Sequence, residues 1–352
     1  MKSGCGILVL SLGTVSIPFS YKEYCMCLGN PFWTVGGEVH QLVSRGKQLL
    51  AVTGGRLVVV GNSDCQLVPQ VDPEVPANGS RGPKVRCVCS SFDRLLLGCQ
   101  NETSELAGGR LSPFGRNSAE CWQDWDLRRI AQFDPEGYCN ADRLLTVAMA
   151  TRCQGKRNET ILARFVRKDQ SWLQLGSRSL FDFKARALVG YQFPDEDSNS
   201  GRIPIMVGEY GAYGVFTPNS EPEPIGNGKA QDFRDAVVWN DGGMDRLYAV
   251  GQAGFFVFAP EDKDSWIRER DSAFCSLLVV PATSNRQACV VAAGNRELVC
   301  DDGSCTKTVA LWSRPIIPTA LAWHKKRLVI AYQIKGQPGI THVSNYEGDL
   351  SG

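Results

Sequence analysis

Histidine is scarce in this 352-residue chain, net charge is nearly absent, and no apolar run beyond the N-terminus is long enough to cross a bilayer. Each shortage excludes something. Three histidines, His40, His324 and His342, leave few ways to build a zinc site or a Cys–His catalytic pair. A formal charge of +1 offers no general attraction to nucleic acid or an anionic membrane, so neither is expected as a partner. The basic triplet in "HKKR" (324–327) reads as a solvated turn. The G-x-S-x-G elbow, the P-loop and H-E-x-x-H are all missing, and no convincing amphipathic helix is present. No cofactor is expected.

Cysteine, by contrast, is plentiful. Fourteen occur, at 5, 25, 27, 65, 87, 89, 99, 121, 139, 153, 275, 289, 300 and 305. A cytosolic protein rarely carries so many unless it binds metal. There is no pair of C-x-x-C knuckles, and "CMC" and "CVC" place neighbouring sulfurs on opposite faces of a strand. Disulfides are the better reading. Strand geometry favours local pairs, with Cys139–Cys153, Cys275–Cys289 and Cys300–Cys305 the nearest candidates. Residues 1–20, one Lys followed by an apolar run, suit a secretory signal. Its removal would take Cys5 and leave thirteen cysteines, so one thiol would be free or shared with a partner. Sequons at Asn78, Asn101 and Asn158 lie in polar, turn-like stretches where glycans would sit. The polar end "NYEGDLSG" does not resemble a lipid-anchor tail.

A repeat organises what remains. "RLVVVG" (56–61), "RLLLGC" (94–99), "RLLTVAMA" (143–150), "IPIMVG" (203–208), "RLYAVG" (246–251), "ACVVAAG" (288–294) and "RLVIAY" (327–332) recur along the chain. Most follow a partner run and a Gly/Asn/Asp turn, the signature of a β-hairpin. Short strands at this spacing predict an all-β fold, a single β-propeller of four-stranded blades over residues 21–352. Seven hairpins can be counted. Each apolar run would be the second strand of a blade, covered on both faces by its neighbours. The Asp-Arg that often precedes it would lie in an exposed turn.

A weaker repeat lies within two blades. "RKDQSWLQL" (167–175) and "DKDSWIRE" (262–269) both follow a third strand. They resemble the Asp box of sialidase-like propellers, eroded to Asp169 with Trp172 and Asp264 with Trp266. In that box the Asp caps turn amides and the Trp plugs the gap between blades. The "GRIPIM" stretch contains Arg202 in the family's Arg-Ile-Pro order, but falls mid-chain, where a structural role is expected. Tyr332 or Tyr346 with Glu209 or Glu347 would be the residues available for a tyrosine nucleophile pair.

Within the sialidase-like group the chain resembles the apicomplexan cysteine-rich protective antigens. The resemblance rests on the eroded boxes, the cysteines, the fifth hairpin "QDFRDAVVWNDGGMDRLYAVGQAGFFVF" and the closing "KKRLVIAYQIKGQPGITHVSNYEGDL". It implies six blades, no enzyme activity, and an adaptor that bridges secreted, cysteine-rich proteins during host-cell invasion. The chain would then be secreted, or held at a cell surface through a partner, without spanning the membrane itself. A sialidase-like glycoside hydrolase or glycan-binding lectin is the alternative reading, and would need three arginines and paired acids at the central mouth. An intracellular scaffold with reduced thiols is the third. A polar, filled channel is expected at the centre, with binding carried by outer loops and blade edges.

Overall fold

The computed structural model describes residues 28–350 apart from 62–83, 92–93, 115–121, 123–124, 134–143, 156, 169–170, 195–201, 217–219, 227–230, 241–243, 260–264 and 285. Every regular element among them is a β-strand, and the strands form seven sheets arranged as the blades of one propeller. Blade 1 comprises β2 (Val39–Arg45), β3 (Gln48–Thr53) and β4 (Arg56–Val59). Blade 2 holds β5 (Val85–Ser91), β6 (Arg94–Cys99), β7 (Glu102–Ala107) and β8 (Arg110–Phe114). Blade 3 is built from the longest strands, β9 (Asp126–Phe133), β10 (Leu145–Gln154), β11 (Arg157–Lys168) and β12 (Ser171–Phe181). Blade 4 follows with β13 (Ala185–Tyr191), β14 (Ile203–Gly208), β15 (Gly211–Gly214) and β16 (Glu223–Ile225). Blade 5 is β17 (Phe233–Asn240), β18 (Asp245–Gly251), β19 (Gly254–Phe258) and β20 (Trp266–Arg270). Blade 6 is β21 (Phe274–Val280), β22 (Cys289–Gly294), β23 (Glu297–Asp301) and β24 (Thr306–Leu311).

Blade 7 closes the ring. Its β25 (Ile316–His324), β26 (Arg327–Ile334) and β27 (Ile340–Asn345) are joined by β1 (Trp33–Gly36) from the other end of the chain. Trp33 pairs with Val343 and Gly36 with Ile340, so backbone hydrogen bonds between the two chain ends hold the circle shut. Hairpin counting is upheld: there are seven blades, not the six that the antigen resemblance implies. The first hairpin differs from the rest. "LLAVTGGRLVVV" is the second and third strands of blade 1, and the innermost strand is the upstream "VHQLVSR".

The apolar second strands are covered as expected. All six residues of β14 and of β22 are buried. Their period-2 alternation serves two neighbours at once. Cys289, Val291 and Ala293 pack with blade 7, while Val290 and Ala292 pack with blade 5. The buried apolar side chains form seven clusters, each shared by two adjacent blades. The core is therefore a ring of wedges with no single centre. The "HKKR" stretch is a solvated turn: Lys325 and Lys326 are exposed and both have positive φ (49° and 63°). That is the type I′ geometry matching the twist of a tight hairpin.

The Asp-Arg pair does not lie in exposed turns throughout. Asp245 is buried, its side chain only 1% exposed. Its carboxylate accepts from Arg202 Nε (2.9 Å) and Nη2 (2.8 Å), Asn240 Nδ2 (2.9 Å) and Gln192 N (3.2 Å). Arg202 and Gln192 belong to blade 4, so the pair clasps blade 4 to blade 5. Arg246 reaches onward to the Gly303 carbonyl of blade 6 at 2.7 Å. At 245–246 the charged pair is an interblade fastener, placed just before the covered strand.

Candidate functional site: the bulge ring at the central mouth

Every innermost strand carries a β-bulge at its start, and the skipped residue is His40, Arg86, Arg128, Arg186, Arg234, Cys275 or Thr319, one per blade in ring order. A bulge leaves its extra residue out of the ladder and re-aims the side chain. The seven bulges lie at the same end of their inner strands. Five of them, His40, Arg86, Arg128, Arg186 and Thr319, line a cavity of about 400 Å³ together with Glu38, Asp126, Arg129 and Lys184. Four consecutive blades, 2 to 5, contribute arginine to the ring, so the mouth has a cationic arc and a neutral remainder.

The local sequence explains the placement. Near the start of each inner strand an apolar or small residue precedes the bulged residue, and a second apolar anchor stands three places after the first: "VHQL", "VRCV", "LRRI", "ARAL", "FRDA", "FCSL" and "PTAL". The two anchors pack between blades and leave the residue between them to face the passage. In blades 4, 5 and 6 the last residue of the second strand is glycine (Gly208, Gly251, Gly294). A Cβ there would strike the main-chain oxygen of Lys184, Asp232 or Ala273 under the bulge. Sequence reasoning missed this ring. The four-residue pattern is the signal, and it becomes visible only once the blade starts are aligned.

Electrostatically the mouth is a set of shared carboxylates. Asp126 meets Arg128 Nη2 at 2.9 Å and Arg86 Nε at 3.3 Å. Glu209 meets Arg186 at 2.9 Å and Lys184 at 3.3 Å, and Asp232 meets Arg186 at 3.2 Å. Burial alone would raise Glu209, but the hydrogen bond from Arg186 and the charge of Lys184 outweigh it and hold the carboxyl low. Glu38 is also lowered, chiefly by its hydrogen bond with His40. Asp235 behaves oppositely. Burial raises it, despite Arg129, which crosses from blade 3 and approaches at 3.8 Å, and despite the amides of Leu277 and Ala236. The passage is thus polar and bridged below its mouth.

The residues suggested for sialidase chemistry do not assemble. Arg202 precedes β14 at the end opposite the mouth, because Tyr191 pairs with Ile203 while Ala185 pairs with Gly208. Tyr332 and Tyr346 belong to blade 7 and its C-terminal extension, where their hydroxyls bond Ser344 Oγ and the carbonyls of Val309 and Asp349. Glu209 stands in blade 4 with its two cations. Glu347 lies against Gly29 and a different cavity, beside Arg327 and Tyr346.

Trp172 and Trp266 occupy equivalent places, each at the start of a fourth strand and each half-buried against the preceding blade. Trp172 stacks on Phe114 at 4.5 Å and donates to Glu105 Oε2 at 2.6 Å. Trp266 packs on Phe233 and donates to the Ile225 carbonyl at 3.3 Å. Asp169 and Asp264 lie outside the described residues. So do Asn78, Cys139, and residues 1–20. Asn101 is exposed at a hairpin turn with φ of 65°, whereas Asn158 is half-buried within β11.

Cys275–Cys289 and Cys300–Cys305 are not joined, and the described cysteines all carry free thiols; Cys139–Cys153 falls partly outside the described residues. Cys275 starts β21 at the mouth, and Cys289 starts β22 at the far end of the same hairpin. They stand roughly 15 Å apart at 3.4 Å per residue. Cys300 is buried and Cys305 exposed. Cys153, the partner proposed for Cys139, is exposed and donates to the Gly155 carbonyl. One juxtaposition is absent from the sequence reading: Cys289 and Cys300 stand on one face of adjacent strands and line the same cavity.

The fold and the ring define a seven-bladed β-propeller. No family model and no curated protein matches the chain. Among solved structures it is similar to the AfRom2 CNH domain, with a TM-score of 0.51 and 12% identity over 91% of this chain and 98% of that one. It is equally similar to PorZ, an essential bacterial surface component of the type-IX secretion system of Porphyromonas gingivalis, at TM-score 0.51 and 10% identity. That match covers 90% of this chain but spans only 39% of PorZ. At such identities the likeness is one of fold.

Proposed function

We propose that this propeller is a non-enzymatic, exported binding protein whose mouth receives an acidic segment of a partner protein. The arginine arc supports this reading. Five cations line the mouth cavity with Glu38 and Asp126, in a chain whose overall charge is only +1. Glu209 and Asp232 pair with two of them from beside it. Arg86, Arg128 and Lys184 each keep about two fifths of their side-chain surface in water, so they can exchange a shared carboxylate for an incoming one. Asp126 and Glu209 are held by two cations each, which suits recognition better than proton transfer. An adaptor also needs a second surface. The outermost strand of blade 3 exposes Leu173, Leu175 and Phe181 on a hairpin where Arg157, Arg167, Lys168 and Arg178 outnumber Glu159. An extended segment with alternating apolar and acidic residues complements that edge.

The test uses the full chain with two fluorescent probes, an oligoglutamate peptide and its oligolysine counterpart. The oligoglutamate should bind with an affinity that falls as salt rises, and Arg86→Gln with Arg128→Gln should weaken it by roughly tenfold. Equal binding of both peptides, or indifference to both substitutions, refutes the mouth assignment. Turnover of a fluorogenic sialoside refutes the non-enzymatic reading. A strand peptide alternating Glu and Leu tests the second surface and should lose binding in Leu173→Asp. Self-association of the chain through that edge would overturn the partner assignment.

A further inference from the structure

Cys289 and Cys300 face the same side of blade 6. The register pairs Val291 with Cys300, so Cys289 sits diagonally across from Cys300, two places along β22 on one face of the β22–β23 ladder. Both are in the cluster packed against blade 7, and both line a cavity of about 220 Å³ with Arg286, Gln287, Asp302 and Lys307. Most other described cysteines lack such a partner. Cys275 is held between Arg234 and Asn295, and Cys305 lies beside Asp302 and Ser304.

We propose that Cys289 and Cys300 form a redox-active dithiol that closes to a cross-strand disulfide between the second and third strands of blade 6, with small disulfides of the glutathione type as its co-reactant. The two thiols have unequal roles. The proximity of Cys300 lowers the Cys289 thiol, and the proximity of Cys289 raises the Cys300 thiol, while burial works against both thiolates. Arg286 lies close enough to favour a Cys289 thiolate further. Cys289 is therefore the attacking sulfur.

The thiolate of Cys289 attacks one sulfur of the small disulfide, forming a mixed disulfide and expelling one thiolate. Cys300 gives up its proton to that thiolate, and its sulfur attacks Cys289. The Cys289–Cys300 bond forms and the second small thiolate leaves, taking a proton from solvent. Two electrons pass from the protein dithiol to the small disulfide, which is released as two thiols. The cavity that reaches both sulfurs carries Arg286 and Lys307, cations suited to an anionic thiol such as glutathione. Closure joins strands that are already neighbours, so it changes the blade locally and does not re-route the chain.

The inference does not depend on the mouth or edge assignments. Full-length protein is equilibrated across ratios of oxidised to reduced glutathione, quenched with iodoacetamide, digested and mapped by mass spectrometry. The expected result is a Cys289 peptide joined to a Cys300 peptide and lighter by two hydrogens, a loss reversed by dithiothreitol. In Cys300→Ser, Cys289 should stop at the mixed disulfide with glutathione. In Cys289→Ser, Cys300 should remain a thiol. Circular dichroism of each variant confirms folding, and Cys→Ala variants replace any that fail. Alkylation of both cysteines at every ratio in folded protein overturns the proposal. So does linkage of either one to Cys153, Cys275 or Cys305.

Discussion

Replacing Arg202 with alanine should destabilise the propeller without touching the mouth. Asp245 is the buried member of the pair, 1% exposed against 41% for Arg202. Arg202→Ala leaves that carboxylate with Asn240 Nδ2 and the Gln192 amide only. Stripping the partner from a buried charge costs about 3–5 kcal/mol, because the remaining ion keeps its desolvation penalty. Asp245→Asn acts the other way round. The arginine turns into water, and the loss is limited to donors left poorly satisfied, about 1–3 kcal/mol. The exposed residue should therefore be the costlier one to remove. At roughly 2 °C per kcal/mol for a chain of this size, thermal melts should fall by about 6–10 °C for Arg202→Ala and about 2–6 °C for Asp245→Asn. The double variant Arg202→Ala/Asp245→Ala should recover part of the larger loss, since no charge stays buried. An Arg202→Ala melt indistinguishable from wild type, or a costlier Asp245→Asn, would refute the clasp.

Trp172→Ala and Trp266→Ala should each cost roughly 2 kcal/mol, about half the penalty of a fully buried tryptophan, measured by urea unfolding; a large effect at one and none at the other would break their equivalence. Gly98→Ala should cost about 1–3 kcal/mol, because its Cβ would strike the Cys87 sulfur and crowd Leu127. In a timed alkylation Cys153 and Cys305 should react first, while Cys87, whose thiol burial pushes up to about 12, should react only on unfolding. Asp302 is held down to about 2 by hydrogen bonds from the Ser304 hydroxyl and the amides of Ser304 and Cys305. Its folded value lies below the ordinary aspartate value of about 3.9, so its support of the 301–304 turn is complete above that pH and lost as pH falls through about 2. Asp302→Asn should flatten this part of an acid titration followed by amide exchange.

Much of the architecture was legible in the residues because a propeller repeats one physical problem. A strand sandwiched between neighbours must be apolar on both faces, so "ACVVAAG" and "IPIMVG" are readable as covered strands from their residues alone. The tryptophans of the two eroded boxes were readable for a similar reason: a large aromatic at a fixed offset after a third strand has one gap to fill. Seven hairpins followed from counting turns. Pairings between blades were not legible, since they join residues with no fixed separation in sequence. Asp245 reads as a turn residue until Arg202, 43 positions away, lands on it. The closing strand "WTVG" shares no local signal with the "ITHVSN" that it completes. Separation in sequence pairs Cys289 with Cys275 across one hairpin, yet the register puts them at opposite ends and sets Cys300 diagonally across from Cys289 instead. Likewise seven separate bulges became one ring only when the blades closed around an axis. Hydrophobic period and turn chemistry act over a few residues, so the sequence alone determines strands, hairpins and their number. Which side chains meet across blades is decided by ring closure, which brings distant parts of the chain within a few ångströms.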